Sequence, residues 1–391
     1  MKNILYLHAG AEMYGADKIL LELVSGLDKE RFRPIVVLPT DGPLVSKLKS
    51  AGISTFVIKY PILRRKYFNP RGIYNYVSSY QKACKQIIEL LDEQRIAIDL
   101  IHVNTLAVLE GIMLKKKLNA RLIWHVHEIL ERPTPIAKLL ACLVNKYADK
   151  VVAVSQAVKK HLVSFGKVDS SKIAVVYNGV DTNQFSPTIN TDSLRKEWNI
   201  PSDSINVGVI GRINAWKGQN DFLEALTPLL NEYSNLYLFV VGSAFSGQEW
   251  RVKELKEKIK NYNSKRIIYS EFRTDNNAVQ SLMDILVLPS TNPDPLPTVV
   301  LEAMASGNPV VSYKHGGAVE MIKDGETGLL AKVCDTSDLQ SKVKILLENQ
   351  HYINFGKAAR LRVEKEFSLD AFWSNFENIY TQIRVVLVKS F

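Results

Sequence analysis

The chain is poor in cysteine. Its 391 residues hold three, Cys84, Cys142 and Cys334, far apart and odd in number. That argues against a disulfide framework or a zinc site and for a reducing compartment, with all three thiols in structural positions. No apolar run approaches the ~20 residues needed to span a bilayer. Neither half contains G-x-G-x-x-G or G-x-x-x-x-G-K-[ST], which lowers the dinucleotide and P-loop readings. No His/Asp/Glu set has a metal-ligand spacing, and there is no short-period repeat and no low-complexity segment. The opening "MKNILYLHAG" is too short in its apolar part to read as a secretory signal, and His8 interrupts it. It reads as a buried first strand, so a cytoplasmic protein is expected.

Hydrophobic content of 46% and charged content of 23% are those of a folded globular protein. The length exceeds one ordinary core, so two domains are expected. Short runs rich in Val, Ile and Leu alternate with segments of helical period. "NILYLHA", "FRPIVVLPT", "STFVIKY", "IDLIHVN", "ARLIWHVHE" and "DKVVAVS" form one series. "INVGVIGRI", "LYLFVVGS", "KRIIYSE", "DILVLPS" and "NPVVSYKH" form a second, with helices such as "GQNDFLEALTPLLNEY" between them. This is the pattern of buried parallel strands joined by crossover helices, hence two doubly wound α/β domains. The stretch "NGVDTNQFSPTINTDS" reads as a linker. The expected boundaries are 1–185, 186–367, and a C-terminal segment 368–391. That last helix-like run is too aromatic for a surface helix and needs something large to pack on.

The net charge of +10 is uneven. Residues 1–185 hold 27 Lys/Arg against 16 Asp/Glu, and the remainder 23 against 24. The basic excess of the first half suits an anionic surface or serves solubility. "YPILRRKYFNPRGIYNY" interleaves Arg64, Arg65, Lys66 and Arg71 with Tyr67, Phe68 and Tyr74, and Lys115, Lys116 and Lys117 follow later. Such a mixture can dock on an anionic membrane face or on nucleic acid, or be an ordinary solvated loop.

In open parallel sheets ligands bind outside the carboxyl ends of the strands. Those positions hold Gly15, the run His125, His127 and Glu128, the pair Arg212 and Lys217, and the segment "NPDPLPTVVLEAMASGNPVV". Pro295 and Pro297 forbid helix up to that point, and a helix follows from about Thr298 to Ser306, with Gly307 past its end. Asp294 then lies in a loop and Glu302 one turn inside the helix. The two acids bracket a helix N-terminus, whose unpaired N–H groups can hold a phosphate while a neighbouring carboxylate accepts from hydroxyls. A capping acid beside a solvent-facing glutamate is the plainer alternative.

At these residues the chain resembles a known family. "DPLPTVVLEAMASGNPVV" is similar to the E-x7-E segment of retaining GT-B glycosyltransferases, in particular the large family 4 group. "GRINAWKGQ" resembles that family's G-R-x-x-x-x-K-G loop. "VVAVSQAVKKHL", "VVYNGVDTNQF", "EFRTDNNAVQSLMDILVLPS" and "GGAVEMIKDGETGLL" match in order and spacing, so the resemblance covers nearly the whole chain. It implies two Rossmann-like domains in a GT-B fold, with an interdomain cleft and a C-terminal helix crossing back to the first domain. It implies transfer of a sugar, a UDP-linked hexose on base rates, to a hydroxyl of a glycan or lipid-linked acceptor with anomeric configuration retained. Carried onto this chain, Arg212 and Lys217 would neutralise the diphosphate. Glu302 would take the ribose hydroxyls, and the N–H groups of Thr298 and Val299 would touch the diphosphate. Asp294 and His127 would serve the sugar, Phe272 and Arg273 would lie by the nucleobase, and Gly15 would admit the donor phosphates. No cofactor or dedicated metal is expected, since cations on the chain would carry the phosphate charge.

Two departures stand out. Asp294 replaces the usual first glutamate and is one methylene shorter. Tyr14–Gly15 replaces Gly–Gly, so a side chain stands where bare backbone is expected. His125 is expected on the opposite face of its strand from His127, toward a helix layer, with Glu128 a neighbouring polar contact. Lipid-linked acceptors and the basic first half together suggest a peripheral position on the cytoplasmic membrane face. A nucleotide-sugar 2-epimerase of the same fold would need further acids and histidines around the sugar, and none is identifiable. A nucleic-acid-binding protein would need a recognition motif, and none is present.

Overall fold

The computed structural model describes residues 1–13, 15–130, 132–166 and 168–383; Tyr14 lies outside the described residues. The chain divides into two units. Of the described residues, the first holds those within 1–178 and 369–383, and the second those within 179–368. The change of unit thus falls ahead of the expected position, at the start of the polar stretch read as a linker.

The first unit is built on seven parallel strands. They are β1 (Lys2–Leu7), β2 (Phe32–Leu38), β3 (Ser54–Val57), β4 (Leu100–Val103), β5 (Arg121–Val126), β6 (Lys150–Ala153) and β7 (Ile173–Val175). Their spatial order is β3-β2-β1-β4-β5-β6-β7. The second unit has β8 (Ile205–Ile210), β9 (Leu236–Val241), β10 (Ile267–Ser270), β11 (Ile285–Leu288), β12 (Val310–Tyr313) and β13 (Gly328–Ala331). Their order is β10-β9-β8-β11-β12-β13, again all parallel. Each sheet reverses its winding once, between β1 and β4 in the first and between β8 and β11 in the second. Crevices for ligands open at these switch points, beyond the strands' carboxyl ends.

The strands are apolar because helices cover both faces of a doubly wound sheet. Ile4, Leu5, Tyr6 and Leu7 of β1 are fully buried, which places the N-terminal stretch at the centre of the first sheet. The C-terminal helix Leu369–Gln382 returns to this unit. Phe372, Phe376 and Tyr380 recur every fourth residue, so they share one helix face, and all three enter the first core. Each such ring contributes about 2–3 kcal/mol by burial. The Lys2 ammonium donates to the carbonyls of Tyr380 and Ile383 at 2.7 and 2.9 Å, satisfying acceptors that a helix end leaves open.

Several expectations need correction. "GQNDFLEALTPLLNEY" is not one helix but two, Gln219–Leu226 and Leu229–Glu232, because Pro228 cannot continue the ladder. The edge strands β7 and β13 were not among the expected ones. The three free thiols differ in burial: Cys84 is buried, Cys142 half-buried and Cys334 exposed. Among the described residues no helix is long and apolar enough to cross a membrane.

Candidate functional site

In the second unit the loops after β8 and β11 meet across the switch point. The loop after β8 is wound tightly: Asn214 Oδ1 accepts from the N–H groups of Trp216 and Lys217 at 3.0 and 2.9 Å. Gly218 ends it at φ +74°, and a Cβ there would stand 1.8 Å from the Pro289 carbonyl oxygen. Only glycine lets the loop approach β11 this closely. The Trp216 carbonyl accepts from Thr291 N–H at 2.7 Å, so the two loops are stitched together.

This brings Lys217 onto Asp294. The ammonium lies 3.0 and 2.9 Å from the two carboxylate oxygens, and Ser290 Oγ donates to Oδ2 at 2.8 Å. Asp294 is 7% exposed. Its own carbonyl accepts from Gly317 N–H at 2.8 Å. Gly316 sits beside it at φ +61°, where a Cβ would lie 2.4 Å from that same oxygen. Two residues read separately as anion-facing and sugar-facing are therefore one buried ion pair.

Arg212 follows β8, and its guanidinium lies over the Phe245 ring at 3.5 Å, a cation–π contact with a half-exposed aromatic. The helix Thr298–Ala305 begins at Thr298 after Pro297, and no side chain caps it. Thr298 and Val299 are thus its first two residues. Glu302 sits one turn in, is 8% exposed, and accepts from Asn276 Nδ2 at 2.7 Å. It is not a solvent-facing glutamate. Phe272 is exposed while its N–H donates to Ser243 Oγ at 2.9 Å. Arg273 is differently employed. It pairs in fork fashion with Asp275 at 2.8 and 2.9 Å and reaches Glu197 at 2.6 Å, which raises its basicity further and anchors the loop.

In the first unit a cluster of imidazoles occupies the strand ends. His8 follows β1, Asn104 follows β4, and His127 follows β5. His8 Nε2 lies 2.8 Å from Asp17 Oδ1, Asn104 Nδ2 lies 3.1 Å from His8 Nδ1, and His127 Nε2 lies 2.9 Å from Asn104 Oδ1. Behind them His102 Nε2 meets His125 Nδ1 at 3.2 Å, and His102 Nδ1 meets the Tyr380 hydroxyl at 2.8 Å. His125 and His127 do not face opposite ways: their ring centroids are 4.0 Å apart. The pleat has a period of two, so residues i and i+2 share a face. His125 is nonetheless buried, with its ring 5.0 Å from that of Phe376 in the C-terminal helix.

Burial pushes His102 down to about 3 and depresses His125 and His127 as well. These rings are neutral at physiological pH. Glu128 accepts from Thr105 Oγ1 and from His127 N–H, and burial raises its carboxyl. Gly15 opens the helix Gly15–Gly26, and a Cβ on it would meet nothing within 4 Å. Among the described residues no set of three His, Cys, Asp or Glu side chains is arranged to hold a metal ion. Asp17 and Asn104 were absent from the expected site, and His8 was read only as part of a strand. Their signal was position, since His8 and Asn104 follow strands and Asp17 lies in the first turn of the next helix.

Two family models match this chain. Glycosyltransferase Family 4 matches residues 13–184 and Glycosyl transferases group 1 matches residues 190–362, together most of the sequence. By both matches together the chain belongs to the glycosyltransferases. The capsular polysaccharide biosynthesis glycosyltransferase CapM of Staphylococcus aureus is 23% identical over 239 residues, 60% of this chain and 61% of CapM. The spore coat protein SA of Bacillus subtilis is 23% identical over 89% of this chain and 94% of its own. Anabaena HepE, crystallised with UDP, superposes with a TM-score of 0.84 at 24% identity, over 98% of this chain and 100% of HepE. HepE has also been crystallised with UDP-glucose. These likenesses establish the GT-B architecture of two Rossmann-like domains for this glycosyltransferase.

Proposed function

We propose that this glycosyltransferase moves a hexose from a UDP-linked donor to a hydroxyl of a glycan or lipid-linked acceptor, with retention. The observation that carries the reading is the Lys217–Asp294 pair where the loops after β8 and β11 meet, with Arg212 on the first loop and the uncapped start of the helix Thr298–Ala305 following the second. Departure of UDP develops negative charge on the diphosphate. Fixed cations and N–H groups that need not reorganise stabilise it, at about 3 kcal/mol per donor. Glu302 accepts from the ribose hydroxyls and the exposed Phe272 ring stacks on the base. Gly15 lets the backbone pass close to the donor phosphates, and His127 and Asp294 contact the sugar. Arg212 and Lys217 carry the phosphate charge in place of a metal. No carboxylate stands as an evident nucleophile, so retention proceeds by attack on the face the phosphate leaves.

The test is UDP release from a panel of UDP-hexoses with glycan and lipid-linked acceptors, with the product anomer read by NMR. Arg212→Gln is expected to lower kcat about 100-fold. Unchanged turnover would mean that Arg212 does not serve the leaving group. A stereoisomeric UDP-sugar formed without UDP release would favour the epimerase instead.

The basic first unit docks on the cytoplasmic face of an anionic membrane. From Gly42 to Ile88 the sequence has nine Lys/Arg and no acidic residue. Within it Phe68, Ile73, Tyr74 and Val77 are exposed beside exposed Arg64, Arg65, Lys66 and Arg71. Each cation near such a surface contributes about 1 kcal/mol. Co-sedimentation with phosphatidylserine vesicles should be lost in Tyr74→Ser with Arg65→Glu. Equal binding by that variant would remove this face from consideration.

A further inference from the structure

We infer that Asp17, His8 and Asn104 are positioning residues that fix the tautomer of His127, with its proton on Nε2 and its lone pair on Nδ1. The polarity follows atom by atom. The placement of the Asn104 amide sets it: Nδ2 is an NH2 group that only donates, and it faces His8 Nδ1 at 3.1 Å. His8 Nδ1 is therefore an acceptor, and the His8 hydrogen sits on Nε2, 2.8 Å from Asp17 Oδ1. The same amide turns its other end to His127. Its carbonyl oxygen is left facing His127 Nε2 at 2.9 Å. A carbonyl oxygen only accepts, so Nε2 carries the hydrogen. Nδ1 is then an acceptor.

The chain of bonds has a direction that packing alone does not require. Asp17, His8 and Asn104 are 5%, 3% and 0% exposed, whereas His127 is half-buried. It therefore runs from a buried carboxylate to an accessible ring. It also bridges the switch point of the first sheet, since His8 follows β1 and Asn104 follows β4. The His125 ring lies against that of His127, at 4.0 Å between centroids, and limits its rotation. An imidazole so held presents one defined hydrogen-bonding atom, as a carboxylate-oriented histidine does in general. The ligand chemistry that matches an Nδ1 acceptor is a hydroxyl group. That last step rests on the proposed sugar transfer, whereas the tautomer does not.

The experiment uses the full chain labelled with 15N-histidine, with ring nitrogens read by long-range 1H–15N correlation and His127 assigned by His127→Gln. Neutral His127 protonated at Nε2 is expected. Asn104→Leu should turn it into a tautomer mixture, and Asn104→Asp, which keeps an acceptor oxygen, should restore Nε2–H. A wild-type proton on Nδ1, or an unchanged tautomer in Asn104→Leu, overturns the inference. If Asn104→Leu does not fold, the wild-type spectrum decides alone. In turnover, Asn104→Leu should lose about 100-fold in kcat with little change in KM, because a misaligned group costs rate more than binding. Asn104→Asp should recover most of the loss. Failure of the kinetic arm with the expected spectrum would count against the sugar-transfer role of His127 and not against the relay.

Discussion

Replacing Glu110 by glutamine should stabilise the first unit, and by an amount that grows with pH. Glu110 opens the helix Glu110–Lys117 and is 0% exposed. Neither carboxyl oxygen has a side-chain hydrogen-bond partner among the described residues; the backbone N–H groups of Leu109 and Glu110 at the helix start favour its ionised form only weakly against burial, and the nearby Tyr76 hydroxyl has no partner either. Burial pushes the carboxyl up to about 8 from an ordinary 4.5. The folded value is raised, so the native state keeps a proton that the unfolded chain gives up. Stability from this group is therefore complete below pH 4.5 and drains away as pH rises toward 8. At pH 7 the interval above 4.5 corresponds to about 3 kcal/mol, at roughly 1.4 kcal/mol per unit. Glutamine keeps the shape and cannot ionise. For a unit of this size the thermal midpoint should differ by roughly 10 °C at pH 7, with little difference near pH 5. Calorimetry of both proteins across that range is the assay. A gap that stays constant with pH would show that Glu110 does not titrate in this window and would refute the reasoning.

The strand-end imidazoles act in the opposite sense. His102, His125 and His127 have lowered folded values, so their contribution is present above about 6.5 and is lost as pH falls toward 3. Acid unfolding should take up about three protons near pH 5, measured from the pH dependence of denaturant midpoints; uptake near zero would place these rings in contact with water. In the second unit, Lys217→Ala leaves the Asp294 carboxylate buried without its cation, at a cost of about 3–5 kcal/mol. The double variant with Asp294→Ala should regain most of that stability without regaining turnover. A stable single variant would mean that water reaches Asp294. Lost activity in Lys217→Ala alone therefore says little about catalysis, and Arg212→Gln is the cleaner probe.

How far the sequence could be read depended on distance along the chain. Both sheets were legible because each strand is a local apolar run. The two strands that escaped, β7 and β13, are edge strands of three and four residues, too short to show a pattern. The break at Pro228 was legible in principle and was outweighed by the helical period around it. In the candidate site Lys217 and Asp294 were legible as charged groups in loops after strands, and Glu302 as an acid one turn inside the next helix. That Lys217 and Asp294 neutralise each other could not be seen, because 77 residues separate them. Arg273 likewise gave no sign that Glu197, 76 residues away, would claim it. His8, Asp17 and Asn104 are ordinary residues one by one and gain meaning only when the switch point brings three segments together.

The two switch points carry opposite kinds of chemistry, and this bears on the division of labour. At β8 and β11 the polar groups are ionic: Arg212 on its aromatic platform and Lys217 against Asp294. Around β4 and β5, beside the other switch point, burial holds the imidazoles of His102, His125 and His127 uncharged. Yet the first half of the sequence is the basic one, with 27 Lys/Arg against 16 Asp/Glu. Its positive charge therefore lies outside the strand-end cluster, concentrated instead along the acid-free stretch from Gly42 to Ile88. A site for an anionic acceptor headgroup would place cations at the strand ends. The uncharged rings at that position suit hydroxyl-bearing ligands, which leaves the surface cations for the proposed anionic surface. The two features can accordingly be separated by mutation. Neutralising Arg64, Arg65 and Lys66 should abolish vesicle binding while kcat on a water-soluble acceptor stays unchanged. A parallel loss of both would show that the charged face belongs to the chemistry after all.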